Sequence, residues 1–361
     1  MSTDERIFSC DDHIDLWALP PDLWQSRLPS GQRERAPRVV KTPQQDVWMA
    51  GDTMLGASRL TRPEYSAIAR AGIEDDGLRA STPDLRLKDM DLDGVYASVI
   101  YGPSLLGLPI PDPEFKATCL RAYNDWAAEF NGFDPKRLCV LPVLPAHDPA
   151  AAVAELERIA KLGHRGAILY CFETRVTDPK WERLWSAAGS LEIPISFHIG
   201  GGTSLVQLDA QSWQLAAWST VTPMQMDEPL CAMIFSGALE RNPKMRLVLA
   251  EAGIGWIPYI VERMDACGAK HTRAAQDYKL KAKPSEIFHR QVLVTFEEEP
   301  LGPRLIPLIG ADNVMWASDY PHPDSPFPHS RQAIAEAFAG LDDGTRLKAT
   351  GQNCAKLYGL A

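Results

Sequence analysis

The chain has 361 residues, 45% of them hydrophobic and 23% charged, with a formal net charge of −10. That is the composition of a soluble globular protein, and without a Lys/Arg block it gives nucleic acid no electrostatic footprint. No apolar run reaches the ~18 residues of a membrane span, the polar start Met1-Ser2-Thr3-Asp4-Glu5-Arg6 lacks a secretory apolar core, and seven scattered cysteines without a C-x-x-C read as free thiols of a reducing cytoplasm.

The first β-rich run, 7–13, ends in Asp11-Asp12-His13. Alternate side chains of a strand share a face, so Asp11 and His13 point one way and Asp12 the other. Residues 18–88 follow, rich in Pro, Arg and Gly. They read as an insertion over the mouth of the fold, partly helical at 63–71. Trp17, Trp24 and Arg27 sit at its start and could line an aromatic pocket or serve packing.

From there strands and helices alternate. Strands are expected at 95–101, 138–144, 166–171, 194–198, 246–250, 291–296 and 314–318, most of them continuous apolar runs of the kind buried on both faces. Helices are expected at 113–131, 149–162, 179–190, 226–241 and 255–268. Asp148-Pro149 and Asp178-Pro179 each place Asp at an N-cap and Pro at the first helical position. Eight strand–helix repeats describe an α/β chain folded as a (β/α)8 TIM barrel, one domain over 1–361. Residues 199–225, beginning Ile199-Gly200-Gly201-Gly202-Thr203, read as a lid or partner-contact loop.

The strands end in polar residues: Asp11 and His13 on the first, His198 on the fifth, Glu251 on the sixth and Asp319 on the eighth. A parallel barrel gathers strand ends around one point. The five form a candidate ligand set for one or two divalent ions, Zn, Mn or Fe. Asp319, Glu251 and His198 are the candidate catalytic residues. Asp319 or Glu251 could take a proton from a metal-activated water. Each has a plainer reading: a core histidine for His198, an N-cap for Asp319, a salt bridge to an arginine for Glu251. His322, Asp324, Glu297, Tyr170 and Trp17 are candidates to orient a ligand or meet substrate.

At these residues the chain resembles the amidohydrolase superfamily, in the branch of aminocarboxymuconate-semialdehyde, resorcylate and carboxyvanillate decarboxylases. The resemblance lies in Asp11-Asp12-His13, Arg86-Leu87-Lys88-Asp89-Met90-Asp91, Tyr123-Asn124-Asp125-Trp126 and Leu162-Gly163-His164-Arg165-Gly166. Further on it lies in Pro194-Ile195-Ser196-Phe197-His198, Glu251-Ala252-Gly253-Ile254-Gly255-Trp256 and Ser318-Asp319-Tyr320-Pro321-His322, and in the ending from Asn353 to Gly359. It implies a barrel with a metal at its C-terminal mouth and matches Asp11, His13, His198 and Asp319 to the family's ligand positions. Two departures stand out: Glu251 replaces the His usual in the decarboxylases, and Tyr170-Cys171 stands where dinuclear members carry a carboxylated Lys. The expected activity is metal-dependent hydrolysis of a small, carboxylated or aromatic substrate. The alternatives are a dinuclear Mn/Fe or di-iron oxygenase, a non-oxidative decarboxylase, and a non-catalytic subunit of a paralogous partner. The resemblance also implies a homo- or hetero-oligomer.

Overall fold

The computed structural model describes residues 5–103, 110–206, 209, 212–272 and 275–360. Eleven strands are present: β1 (Ile7–His13), β2 (Arg38–Lys41), β3 (Asp46–Ala50), β4 (Thr53–Ala57), β5 (Val95–Tyr101), β6 (Leu138–Val140), β7 (Ala167–Ile168), β8 (Ile195–His198), β9 (Leu247–Ala250), β10 (Val292–Phe296) and β11 (Val314–Trp316). Eight of them, β1 and β5 to β11, pair in parallel in two runs, β1-β5-β6 and β7-β8-β9-β10-β11.

Two seams close these runs into a cylinder. At one, Val143 bridges Ile168, and Leu144 N–H donates to Ile168 C=O (2.9 Å). At the other, the chain beyond β11 docks on β1: Asp319 N–H donates to Asp11 C=O (2.9 Å) and His13 N–H to Tyr320 C=O (2.7 Å). The result is a (β/α)8 barrel, its apolar strands buried between the cylinder interior and the helices outside. Among those helices are Pro83–Asp93, Pro113–Asn131, Pro149–Lys161, Glu182–Leu191, Asp227–Phe235 and Ile257–His271. Asp148 and Asp178 cap their helices by accepting backbone N–H groups. Among the described residues no helix is long and apolar enough to cross a membrane.

The insertion departs from expectation. Within 63–71, expected to be partly helical, it holds the short helix Ala67–Arg70, and beyond expectation it holds a three-stranded antiparallel sheet in the order β2-β3-β4. It packs against the loop after β11, where Ala67 N–H donates to Pro321 C=O (2.8 Å) and the Arg70 guanidinium to Ser325 C=O. Trp24 does not line a pocket. It is fully buried, packs edge-on against Trp48 (5.4 Å between rings), and its indole N–H donates to Cys119 C=O (2.9 Å). Arg27 pairs with Glu129. Of the segment 199–225, residues 207, 208, 210 and 211 lie outside the described residues. The remainder includes a helix, Trp213–Val221, none of whose residues is buried.

The first seam rests on one amide side chain. Asn124 accepts from Val143 N–H (2.7 Å) and donates to Val143 C=O (3.1 Å) and Glu155 Oε1 (2.7 Å). Asn124→Ala strands the buried N–H and C=O of Val143, at about 1–3 kcal/mol for each unsatisfied group, while Glu155 keeps its hydrogen bonds from Arg158. Urea denaturation is expected to show a loss of about 2–4 kcal/mol on that basis. A loss below about 0.5 kcal/mol, the scatter of ordinary surface changes, contradicts this role.

Candidate metal centre

The mouth of the barrel gathers five strand-end residues from four strands. Asp11 and His13 come from the end of β1, His198 from the end of β8, Glu251 from just beyond β9, and Asp319 from just beyond β11. His13 Nε2 lies 3.1 Å from Asp319 Oδ1, 3.5 Å from Asp11 Oδ1 and 3.8 Å from Glu251 Oε2. His198 Nε2 lies 3.2 Å from Glu251 Oε2 and 3.6 Å from Asp11 Oδ1. The plainer readings of His198 and Glu251 therefore fail: His198 faces two carboxylates, and Glu251 faces two imidazoles rather than an arginine.

The orientation of each group is set from behind. Asp11 Oδ2 accepts from Thr295 Oγ1 (2.8 Å) and Glu251 N–H (2.7 Å), leaving Oδ1 to face the imidazoles. His198 Nδ1 lies 2.7 Å from its neighbour's carbonyl at Ile199, which makes Nδ1 the protonated nitrogen and turns the Nε2 lone pair inward. Asp319 Oδ1 lies 2.8 Å from His322 Nδ1, and His322 Nε2 lies 2.8 Å from Asp15 Oδ2. His322 also stacks on His13 at 4.1 Å. Glu251 and Asp319 both take positive φ, +51° and +58°. That region is costly for residues with a Cβ, and such strain collects at functional sites.

Three of these atoms, Asp11 Oδ1, His13 Nε2 and His198 Nε2, are buried with no hydrogen-bond partner. Orphaned polar atoms cost about 1–3 kcal/mol each, yet here three converge within a ligand's reach of one another. Two imidazole nitrogens and carboxylate oxygens are a donor set for a divalent cation, so the residues present fit a metal. Asp11, His13 and His198 form one such group; His13, Glu251 and Asp319 form another. A third, His13, Asp15 and His322, was not legible before folding: Asp15 gave no sign beyond its place two residues after His13.

The remaining candidates divide. His322 orients Asp319, as above. Glu297 has a buried Oε1 without a partner and lines a cavity of about 420 Å³ beside the centre, with Pro223, Met224, Gly253 and Trp256. Trp17 reaches the site through Asp15, donating its indole N–H to Oδ2 (3.1 Å). Tyr170 is buried and donates to Pro103 C=O (2.8 Å). Asp324 is exposed and joins none of these hydrogen bonds.

Without a cation the charges crowd. Burial, then the Asp319 charge, pushes Glu251 up to about 7. Burial and the charges of Asp319, Glu251 and Asp11 push Glu297 upward as well. Burial would lower His198, but Asp11 and then Glu251 outweigh it and raise it to about 9. Burial also opposes the charged forms of Asp319 and Asp15, yet His322 beside them holds Asp319 well below the usual carboxylate range and Asp15 down to about 2.

The family described as amidohydrolase matches residues 112–360. A gamma-resorcylate decarboxylase from Rhodococcus jostii is 27% identical over 303 residues, 77% of this chain and 87% of that protein. The solved structure of 5-carboxyvanillate decarboxylase from Sphingomonas paucimobilis superposes with a TM-score of 0.71 at 22% identity, covering 99% of this chain and 100% of the other. A dihydroxybenzoic acid decarboxylase from Polaromonas, solved with bound manganese and 2-nitroresorcinol, gives 0.67 at 18% identity, covering 99% and 97%.

The pKa shifts carry a sign. Groups raised in the folded state bind extra protons there, so the stability they add is lost as pH rises through the folded pKa. For Glu251 that loss runs from 4.5 through about 7, and for His198 from 6.5 through about 9. Asp319 and Asp15 act oppositely, but only in acid, as pH falls below the usual carboxylate range. The thermal midpoint of chelator-treated protein is therefore expected to fall from pH 5 to pH 9, and excess Mn2+ at pH 8 to restore it. A flat or rising midpoint, indifferent to metal, contradicts the description.

Proposed function

The chain belongs to the amidohydrolase family, and we propose that it is a metal-dependent, non-oxidative decarboxylase acting on a small aromatic acid. The observation that carries the metal dependence is the convergence of Asp11 Oδ1, His13 Nε2 and His198 Nε2, buried and unpartnered, at the barrel mouth. The choice of reaction draws on the relatives: the Rhodococcus protein is a decarboxylase over most of its length. Hydrolysis, the expectation from the ligand set and family likeness, has less support.

Asp11, His13, His198 and Asp319 would hold the cation. When bound, it supplies Lewis-acid chemistry toward a substrate carboxylate and the oxygen beside it. The chain's own residues do the rest. Pro223, Met224 and Trp256 give the adjoining cavity an apolar wall for a ring. Glu251 directly precedes Ala252 and Gly253, which line that cavity, and by the resemblance it stands where the family's decarboxylases usually carry an imidazole. The bond from ring carbon to carboxylate breaks, CO2 leaves, and the electron pair left on the ring carbon takes a proton from the Glu251 carboxyl. Burial favours the neutral, proton-bearing form of that carboxyl. Glu251 then recovers one from solvent. His322, clamped between Asp319 and Asp15, keeps Asp319 turned to the cation position.

One observation favours a second reading. Asp11, Glu251, Glu297 and Asp319 put four carboxylates at the mouth, and the buried Glu297 Oε1 has no partner. One divalent ion leaves two negative charges unbalanced; two would balance all four. Two ions held by these carboxylates with His13 and His198 would supply the chemistry of an oxygenase of the Mn/Fe or di-iron kind.

Metal-loaded protein offered hydroxylated benzoic acids is expected to release CO2 without consuming O2, and the product to carry solvent deuterium when made in D2O. Glu251→Gln is expected to lower kcat at least ~100-fold, within the range of a lost general acid, while keeping one equivalent of metal. Oxygen uptake, with metal content dropping from two equivalents to one in that variant, overturns decarboxylation in favour of the two-ion centre.

A further inference from the structure

Behind the ligands, on the face of β1 turned away from the cation position, lies a buried polar network that the proposed reaction does not use. Asp12 points there, opposite to Asp11 and His13. Its Oδ1 accepts from Ser9 Oγ (2.7 Å) and from Tyr320 N–H (3.2 Å). Its Oδ2 accepts from Ser98 Oγ and faces Arg86 Nη2 at 3.2 Å. Arg86 is fully buried. Its Nη1 donates to His13 C=O (2.8 Å), and its guanidinium lies 4.9 Å over the Tyr320 ring. The Tyr320 hydroxyl donates to Asp89 Oδ2 (2.5 Å), and Asp89 is gripped by Arg79 through Nε (2.8 Å) and Nη2 (2.7 Å). Ser9 Oγ also accepts from Ser318 N–H (2.7 Å).

Most contacts in this set tie a candidate ligand or a residue next to one. Ser318 and Tyr320 flank Asp319; Asp12 lies between Asp11 and His13; Arg86 holds the carbonyl of His13 itself. The network spans the β1/β11 seam, where among the described residues two backbone hydrogen bonds join the strand ends, and where Asp319 sits in a left-handed conformation that its surroundings must impose. Arg86 comes from the helix Pro83–Asp93, at the end of the insertion. We propose that Arg86 and Asp12 are positioning residues: the buried pair sets the distance and angle between Asp11 and His13 on one strand end and Asp319 on the other, and so sets the affinity and geometry of the cation site. A buried ion pair is weak evidence for stability in itself. Here Arg86 holds the carbonyl of His13 on one side of the seam and Asp12 the N–H of Tyr320, next to Asp319, on the other. The inference rests on the cation reading given above, but it also makes a claim about the metal-free seam.

The test is the pair Asp12→Asn with Arg86→Met in one chain, which leaves no uncompensated buried charge and so preserves the fold, set beside Arg86→Lys, which keeps the charge and loses the planar fork. Two readouts are needed. In metal-free protein, hydrogen–deuterium exchange of peptides covering 9–14 and 317–322 is expected to quicken at least ~10-fold in the double variant while β8 and β9 are unchanged, as a local opening would do. In Co2+-loaded protein, affinity is expected to fall about 10–100-fold, the usual effect of losing a ligand's supporting partner, with an altered visible absorption band and partial rescue in Arg86→Lys. Unchanged exchange at the seam overturns the proposal whatever the metal result. Faster exchange with unaltered Co2+ affinity and spectrum overturns it too, reducing the pair to a structural role. A wild-type chain that binds no Co2+ removes the cation reading instead, and leaves the exchange result to decide whether the pair organises the seam.

Discussion

The structure turns on a concentration of like charge. Asp11, Glu251 and Asp319 meet at the mouth of the barrel, and no lysine or arginine among the described residues pairs with any of them. Their near neighbours are imidazoles, which neutralise carboxylates only by holding protons. Buried charges persist when paired, protonated or bound to metal. The metal-free chain takes the protonated course: Glu251 and His198 are both pushed upward. A divalent cation would replace those protons. The Nε2 atoms of His13 and His198, buried and without a hydrogen-bond partner, face the point such a cation would take.

The barrel brings this about by closing. Residues 11 and 319 share a backbone hydrogen bond although they lie near opposite ends of the chain, His13 follows Asp11 on β1, and His198 and Glu251 arrive at the ends of two further strands. Closure also explains the strained backbone. Asp319 and Glu251 leave their strands in the left-handed region, which turns each carboxylate back over the barrel axis instead of letting it follow the strand outward. The network around Arg86 and the amide of Asn124 hold the two seams from behind, so the same contacts that complete the cylinder also aim the functional groups.

Much of this was legible in the sequence. Apolar runs, most of them continuous, marked all eight barrel strands, because strands buried on both faces leave a long apolar trace, and four of them end in the five Asp, His and Glu residues at the mouth. The short strands were over-read: 138–144 shrinks to Leu138–Val140 plus the single bridge at Val143, since Pro142 cannot donate to a ladder. The sheet of the insertion was missed. Its strands are four and five residues long, two of them lacking fully buried positions, so they show neither alternation nor an apolar run. Asp15, and the roles of Arg86 and Asp12, escaped for a different reason. Their partners lie some 70 to 300 residues away, and nothing local distinguishes a buried arginine from an exposed one. Trp24 was ambiguous for the same cause; only the fold shows that its neighbours are Trp48 and Cys119 rather than a ligand.

The reaction was the least legible feature. A set of two imidazoles and three carboxylates serves hydrolysis, decarboxylation and oxygen chemistry alike. The account stands or falls on whether a cation occupies the point faced by Asp11, His13, His198 and Asp319. Anomalous diffraction from crystals grown with Mn2+ answers this directly. The expected result is a strong peak about 2.0–2.3 Å from the facing atoms of these residues, the range of metal–nitrogen and metal–oxygen bonds. A mouth without a peak, with His13 and His198 donating to the carboxylates instead, would contradict it.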